Sequence, residues 1–179
     1  MLYLHTIRQG GSAREEPRAY DREKAVAYAH QWAYSRNPAY YDFSELGGDC
    51  TNFASQILYA GTGVMNYTPM MGWFYVNANQ RTASWTGVQY FYNFLLLNRG
   101  PGPFAKEVAL ATVEPGDFIQ FTPDGTAYTH TLAVVEIGRP ATKSNVLVAA
   151  HTFNADERPL SSYTIRELRC IHILGYRRQ

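Results

Sequence analysis

The hydrophobic pattern of the chain changes its period near Pro101-Gly102-Pro103, and this change constrains the fold more than any other feature. Before this break, apolar residues recur at the three- and four-residue spacing of helices. After it they form short runs bounded by Gly, Pro and Asn, which is typical of strands. The runs predict strands over 117–121, 129–137, 146–151 and 165–176. Helices followed by an antiparallel sheet make this an α+β chain.

Three helices are predicted before the break. The first begins after Asp21, whose carboxylate can cap it, and the second begins at Cys50. The third is predicted from a Ser84 cap to about Asn98. Between the second and third helices, residues 61–83 have too little pattern for an assignment, and long loops of this kind often wall a binding cleft.

The composition describes an ordinary globular chain. It has 179 residues, 46% of them hydrophobic, with 16 Lys and Arg against 15 Asp and Glu. This length suits one domain, which we place at 20–179, after a polar segment at 1–19 that we expect to be a flexible tail or linker. The near-neutral charge argues against nucleic acid as a partner. No stretch reaches the roughly 18 to 20 apolar residues of a membrane span, so we expect no integral membrane segment.

The two cysteines, Cys50 and Cys170, are expected to be free thiols, because two do not make the disulfide framework of a small secreted protein. Cys170 lies in a strand-like run, and we expect it to pack in the core. A metal site formed with His172 would lack further ligands, so we expect neither a metal ion nor a cofactor. The N-terminus lacks the apolar core of a secretory signal. The sequence leaves the localisation and the oligomeric state open, and an extracytoplasmic location fits if the chain is a trimmed domain.

Cys50 stands where a nucleophile can be made. The glycine pair Gly47-Gly48 lets the chain turn sharply into the helix, and the free N–H groups and dipole at a helix start favour a thiolate. Cys50 shares one helical face with Phe53, Ala54 and Ile57, so its side chain is predicted to point inward. The alternative interpretation is a small buried core residue, which is the commoner role of an intracellular cysteine.

Two histidines follow on predicted strands. His130 opens the run that continues to Val135, and His151 closes the run that begins at Val146. If these strands form a hairpin, the start of one lies beside the end of the next, and the two imidazoles meet at one edge of the sheet. A thiol hydrolase needs a thiolate, an imidazole base and a polar group that orients the base. Cys50, His130 and His151 can fill these roles, with Asn154 or Asp156 as alternatives for the third.

The sequence resembles the bacterial putative amidase domain family. The specific part of the resemblance is Gly47-Gly48-Asp49-Cys50-Thr51-Asn52-Phe53-Ala54-Ser55-Gln56. It is supported by the segment 20–33, the loop 36–41, and by Ser84-Trp85-Thr86, Pro115-Gly116-Asp117, His130-Thr131 and His151-Thr152. Together these segments extend the resemblance over roughly residues 20–176.

The resemblance implies a papain-like plan similar to that of NlpC and CHAP hydrolases. In that plan a Cys on a central helix packs against an antiparallel sheet that supplies a His and a third polar residue, which supports Cys50 and His130. NlpC-type enzymes often use a His on the following strand, here His151, whereas CHAP-type enzymes use Glu or Asn, which keeps Asn154 as the alternative. The resemblance also implies a cysteine amidase or peptidase that cleaves amide bonds of bacterial cell-wall peptides, with a peptide or glycopeptide as its substrate.

Two other functions compete with this interpretation. A catalytically idle module of the same fold would grip a peptide or glycopeptide through Trp73, Phe74, Tyr75 and Trp85, with an incidental thiol. An intact Cys and His argue against it, because binding needs neither. A metal hydrolase would need clustered ligands, whereas the five histidines are dispersed and no His-Glu-x-x-His or paired-Cys spacing occurs.

Overall fold

Helices precede an antiparallel sheet in the computed structural model, which describes residues 16–178, and this order confirms the α+β prediction. The helices of the described residues are α1 (Arg22–Trp32), α2 (Cys50–Thr62), α3 (Ala83–Thr86) and α4 (Val88–Leu97). Two short 3₁₀ turns cover Leu110–Thr112 and Leu160–Ser162. The predicted cap of the first helix is confirmed, because the Asp21 carboxylate accepts a hydrogen bond from the Lys24 N–H at 3.0 Å.

The sheet has six strands in the described part of the chain, and every neighbouring pair is antiparallel. Its strands are β3 (Gly102–Val108), β4 (Phe118–Thr122), β5 (His130–Ile137), β6 (Val146–Ala150), β7 (Ala155–Pro159) and β8 (Glu167–Arg177). Their spatial order is β3-β8-β4-β5-β6-β7. A separate small hairpin joins β1 (Tyr75–Asn77) to β2 (Gln80–Arg81) within the segment that the sequence left unassigned.

The sequence predicted the four inner strands and missed the two at the edges of the sheet. The missed β3 begins within Pro101-Gly102-Pro103, where we expected only a break, and the missed β7 reads Ala-Asp-Glu-Arg-Pro. An edge strand pairs on one side only, so it tolerates Pro and charged residues that an inner strand excludes. Hydrophobic periodicity is therefore weakest at these edges.

The predicted third helix is broken in two, which corrects the expectation of one helix from Ser84. Gly87 has extended backbone angles, φ −105° and ψ 127°, and separates α3 from α4. Ser84 does not cap a helix, because α3 already begins at Ala83 and the Ser84 hydroxyl donates to the Gly72 carbonyl at 2.5 Å. The apolar stripe is continuous in sequence, and it did not reveal the change in backbone direction.

Two hydrophobic cores lie on the two faces of the sheet. The first packs α1, α2 and α4 against the sheet, and the second lies on the opposite face beneath the Leu160–Ser162 turn. Side chains alternate along β5, so Ala133 and Val135 enter the first core while Leu132 and Val134 enter the second. This alternation decides which way the residues at the start of β5 point.

The predicted tail at 1–19 falls only partly within the described residues, because residues 1–15 lie outside them. Arg18 pairs with the end of β8, where its backbone N–H donates to the Tyr176 carbonyl at 2.8 Å and its carbonyl accepts from the Tyr176 N–H at 3.0 Å.

None of the helices in residues 16–178 has the length and apolar character that crossing a membrane requires.

Candidate active site

The turn into α2 has the backbone geometry that its glycine pair predicts. Gly47 and Gly48 have φ values of +97° and +110°, in the left-handed region that glycine adopts without strain. A Cβ on Gly48 would lie 3.3 Å from the Thr152 hydroxyl, so the segment after β6 packs closely on this turn. Cys50 is the first residue of α2 and is buried, with 7% of its surface exposed.

The Cys50 sulfur lies against the backbone on both sides of His130. Its thiol is 3.9 Å from the Thr129 carbonyl, to which it donates. On the other side the sulfur accepts the backbone N–H of Thr131, and the Thr51 hydroxyl is 3.8 Å away. The fold therefore brings Cys50 to the start of β5.

Burial raises the pKa of the Cys50 thiol above its ordinary value. The N–H of Thr131 and the hydroxyl and N–H of Thr51 act in the opposite direction, because they stabilise an anionic sulfur. The nearby negative charge of Asp49 adds to the rise. The effect of burial is the largest of these, so the surroundings of Cys50 favour the thiol over the thiolate.

A chain of buried hydrogen bonds runs from Cys50 into the sheet. The Thr51 and Thr131 hydroxyls are 2.9 Å apart, and the Gln120 side-chain amide donates to the Thr131 hydroxyl at 3.1 Å. The Gln120 carbonyl in turn accepts two bonds from the Arg169 guanidinium, at 2.9 and 2.6 Å. All members are at most 8% exposed, so each polar group depends on its neighbours rather than on water.

His130 is the first residue of β5, and its side chain lies on the face opposite α2. Its ring stacks on Phe121, with 4.9 Å between ring centroids, and it forms no hydrogen bond with any residue in 16–178. Partial burial lowers the pKa of His130, so the imidazole stays neutral to a lower pH than is usual for histidine. The His130 ring points away from α2, the helix that carries Cys50.

His151 follows β6 and is buried on the helix side of the sheet. Its Nδ1 is 2.6 Å from the Asp49 carboxylate, and its Nε2 is 2.9 Å from the Trp32 carbonyl. Both partners are hydrogen-bond acceptors, and both lie within hydrogen-bond distance of a ring nitrogen. The ring also stacks on Phe53, with centroids 3.7 Å apart and planes 2° from parallel. His151 therefore holds the start of α2 and makes no hydrogen bond to His130.

Asp49 occupies the N-cap position of α2, but its side chain does not cap the helix. Its carboxylate instead accepts the Phe43 N–H at 2.9 Å and the Asn52 side-chain amide at 2.8 Å, in addition to His151. The Arg36 guanidinium completes the surroundings, with Nε 3.5 Å from the carboxylate. The fully buried carboxylate joins the loop before α2, the helix itself and the segment after β6.

Asn154 and Asp156, the two alternatives for the residue that orients His130, bind other side chains. The Asn154 side-chain carbonyl accepts a hydrogen bond from Arg36 at 3.1 Å. The Asp156 carboxylate pairs with His30 on α1 at 2.9 Å. Neither side chain contacts His130 among the described residues.

The predicted hairpin is confirmed, and it brings His130 and His151 to one cavity. β5 and β6 pair with Ala133 opposite Ala149, which places the start of β5 beside the residue that follows β6. The cavity has a volume of about 390 Å³ and is lined by both histidines, but Cys50 is not part of its lining. Within residues 16–178, no group of three or more His, Cys, Asp or Glu side chains is arranged to hold a metal ion.

Residues 19–174 match the family described as the putative amidase domain, which is most of the chain. The chain belongs to this family. Membership in the amidase family supports the hydrolysis of amide bonds, and it agrees with the resemblance seen around Cys50. No solved structure matches the chain.

A curated relative of this amidase domain is the uncharacterized protein YhbB of Bacillus subtilis (strain 168). The two sequences are 37% identical over 144 residues, which is 78% of this chain and 43% of YhbB. The chain thus spans less than half the length of that relative. This relative supports a bacterial origin for the chain.

The side chains that support Cys50 were not predicted from the sequence. Asp49 directly precedes Cys50, but no local pattern indicates that its carboxylate binds His151. Gln120 left a signal, since it is a polar residue inside the apolar run Phe118-Ile119-Gln120-Phe121 of an inner strand. A buried amide in such a position needs partners for all its polar groups, which predicts a network but not its members.

Proposed function

We propose that the protein is a cysteine-dependent amide hydrolase in which Cys50 is the nucleophile and His130 is the base. The observation that carries this proposal is the position of the Cys50 sulfur, which contacts the carbonyl of Thr129 and the N–H of Thr131 on either side of His130. The order of helices before an antiparallel sheet, with the Cys before the His, supports a papain-like relationship to NlpC and CHAP hydrolases.

The proposed reaction begins with rotation of the neutral His130 ring toward Cys50. His130 accepts the thiol proton, the sulfur attacks the amide carbon, and His130 then donates that proton to the leaving amine. Water hydrolyses the resulting thioester and releases the acid. The lowered pKa of His130 keeps the ring neutral and able to accept a proton before the reaction starts, although it also makes the ring a weaker base.

The start of α2 can stabilise the oxyanion that forms during attack. The backbone N–H groups of Cys50 and Asn52 have no acceptor among the described residues, as expected for the first turn of a helix. They provide donors at the place where the carbonyl oxygen gains negative charge. The proposal therefore places the carbonyl of the substrate at the N-terminus of α2.

His151 remains the proposed third residue, in preference to Asn154. Its two hydrogen bonds go to Asp49 and Trp32, so its proposed contribution is to hold the start of α2 and thereby the Cys50 sulfur. The proposed substrates are the amide bonds of bacterial cell-wall peptides, and the family resemblance supports this class.

Alkylation of Cys50 tests the proposal. We expect iodoacetamide to label Cys50 in preference to Cys170, and His130→Ala to slow the labelling of Cys50 several-fold, because only the thiolate reacts. The measurement is intact mass and peptide mapping over a range of pH for the wild type, Cys50→Ala and His130→Ala. A Cys50 that stays inert until the protein unfolds is a core residue, and the nucleophile proposal then fails.

The hydroxyl of Thr51 should contribute to the reactivity of Cys50. Thr51→Val keeps the shape of the side chain but removes a donor to the sulfur, so we expect the pH midpoint of alkylation to rise by about half a unit to one unit. Thr62→Val is the matched control, because Thr62 is a buried residue of the same helix whose hydroxyl donates to the Leu58 carbonyl. An equal shift in both variants would contradict a specific role for Thr51.

Three of the four aromatic residues on which the binding-module alternative was based are buried, whereas Phe74 is partly exposed. Trp73 and Trp85 have no exposed surface, and their indole N–H groups bond Ser55 and Asn52 in the first core. Tyr75 is only 8% exposed. A ring that is enclosed by other side chains cannot stack on a sugar or peptide, so a binding module would need a different surface.

A further inference from the structure

The cavity beside His130 has aromatic walls and an exposed aromatic rim. Phe121 and Tyr163 line it, and Phe153 at its edge is 72% exposed. Its volume of about 390 Å³ is near the lower end of the range for ligand pockets, which suits a group the size of one amino-acid residue. The cavity lies against the second core, on the face of the sheet away from α2.

Two polar groups in this cavity have unused hydrogen-bonding capacity. The Tyr163 hydroxyl is buried, and although the Arg158 guanidinium lies close enough to donate to its oxygen, the hydroxyl itself has no acceptor within residues 16–178. The Arg158 guanidinium lies 4.1 Å from the centre of the Tyr163 ring and donates from Nε and Nη2 to Ser162, but no carboxylate of the described chain pairs with it. A buried hydroxyl whose proton has no acceptor is unfavourable, so the arrangement favours a ligand that supplies an acceptor.

We propose that this cavity binds the leaving-group half of the substrate, an apolar or aromatic residue that carries a free carboxylate. The carboxylate pairs with Arg158 and accepts a hydrogen bond from Tyr163, while the side chain packs on the aromatic walls. The assignment to the leaving group rests on the proposed function, because His130 lines the cavity and donates a proton to the leaving amine. The protein then removes a terminal apolar residue from a peptide.

Binding of the released product separates this proposal from the catalytic one. We expect both the wild type and Cys50→Ala to bind one enantiomer of phenylalanine, measured by titration calorimetry, and to bind phenylalaninamide about tenfold more weakly. Arg158→Gln should weaken phenylalanine binding about tenfold and leave phenylalaninamide unchanged. Tyr163→Phe should weaken phenylalanine binding several-fold. Arg166→Gln is the matched control, because Arg166 lies outside the lining and bonds the Asp124 carbonyl.

Three results would overturn the proposal: equal binding of the acid and the amide, no binding of either at about 10 mM, or equal losses for both ligands in Arg158→Gln. If phenylalanine binds as expected while Cys50 is inert to alkylation, the carboxylate site stands and the hydrolase proposal fails. If Cys50 is reactive and the protein hydrolyses peptides without binding phenylalanine, only the carboxylate site is wrong.

Discussion

Replacing Cys50 with Ala is expected to lower the hydrolysis of cell-wall peptides by at least about a thousandfold, because the reaction loses the atom that forms the thioester. Cys50 begins α2, and the fold places its sulfur at the start of β5. The measurement is the release of new amino groups from a peptidoglycan digest, followed by mass spectrometry. The variant should fold normally, since Ala fits the space of a small buried side chain.

Cys170→Ala provides the matched control for this experiment. Cys170 is also a free, buried thiol, and burial raises its pKa to about 12. It lies in β8 within the second core, away from the start of α2. We expect its removal to leave hydrolysis within about twofold and to cost only a modest amount of stability. Equal losses of hydrolysis in the two variants would show that removing either buried thiol has the same effect, which would contradict nucleophilic attack by Cys50.

Replacing His151 with Ala is expected to lower the free energy of unfolding by about 3–5 kcal/mol, because it removes a buried ring together with its hydrogen bond to the buried Asp49 carboxylate. The Asp49 carboxylate is fully buried, and the His151 side chain is 1% exposed. For a chain of this size the loss corresponds to a fall of roughly 6–20 °C in Tm. Thermal and urea unfolding of the wild type, His151→Ala, Asp49→Ala and the double variant would measure the coupling between the two residues.

The His30–Asp156 pair supplies the control for this cycle. It has the same chemistry, with 2.9 Å between nitrogen and oxygen, but the His30 side chain is 38% exposed. Water screens such a pair, so His30→Ala should cost less than about 1 kcal/mol. We expect coupling of at least about 1 kcal/mol between His151 and Asp49, and values near zero for the control pair. Additive losses at His151 and Asp49 would contradict a direct interaction between the two buried side chains.

The stability experiment also tests how His151 supports Cys50. If His151 acts by holding the start of α2, then Asp49→Ala should slow the alkylation of Cys50 as much as His151→Ala does. If His151 instead orients His130 directly, only His151→Ala should slow it, since Asp49 is joined to His151 and to the helix start but not to His130. Both variants would be compared at temperatures where they remain folded.

The sequence alone determined the class of the fold and the general place of the candidate site. The helical spacing around Cys50 and the apolar runs after Pro101-Gly102-Pro103 are local patterns, and local patterns report the periodicity of each element. The pairing of β5 with β6 also followed from the sequence, because a short connection between two antiparallel runs brings their outer ends together. These inferences needed no contact between distant residues.

Only the tertiary structure decided what each side chain at the site does. The pleat of β5 points Thr131 toward α2 and His130 toward the second core, which depends on which face of the sheet the helices cover. The pairing of Asp49 with His151 joins residues 102 positions apart, and no periodicity encodes it. Hydrophobic patterns specify which face of an element is buried, whereas the partners of a buried polar group depend on how the elements pack together.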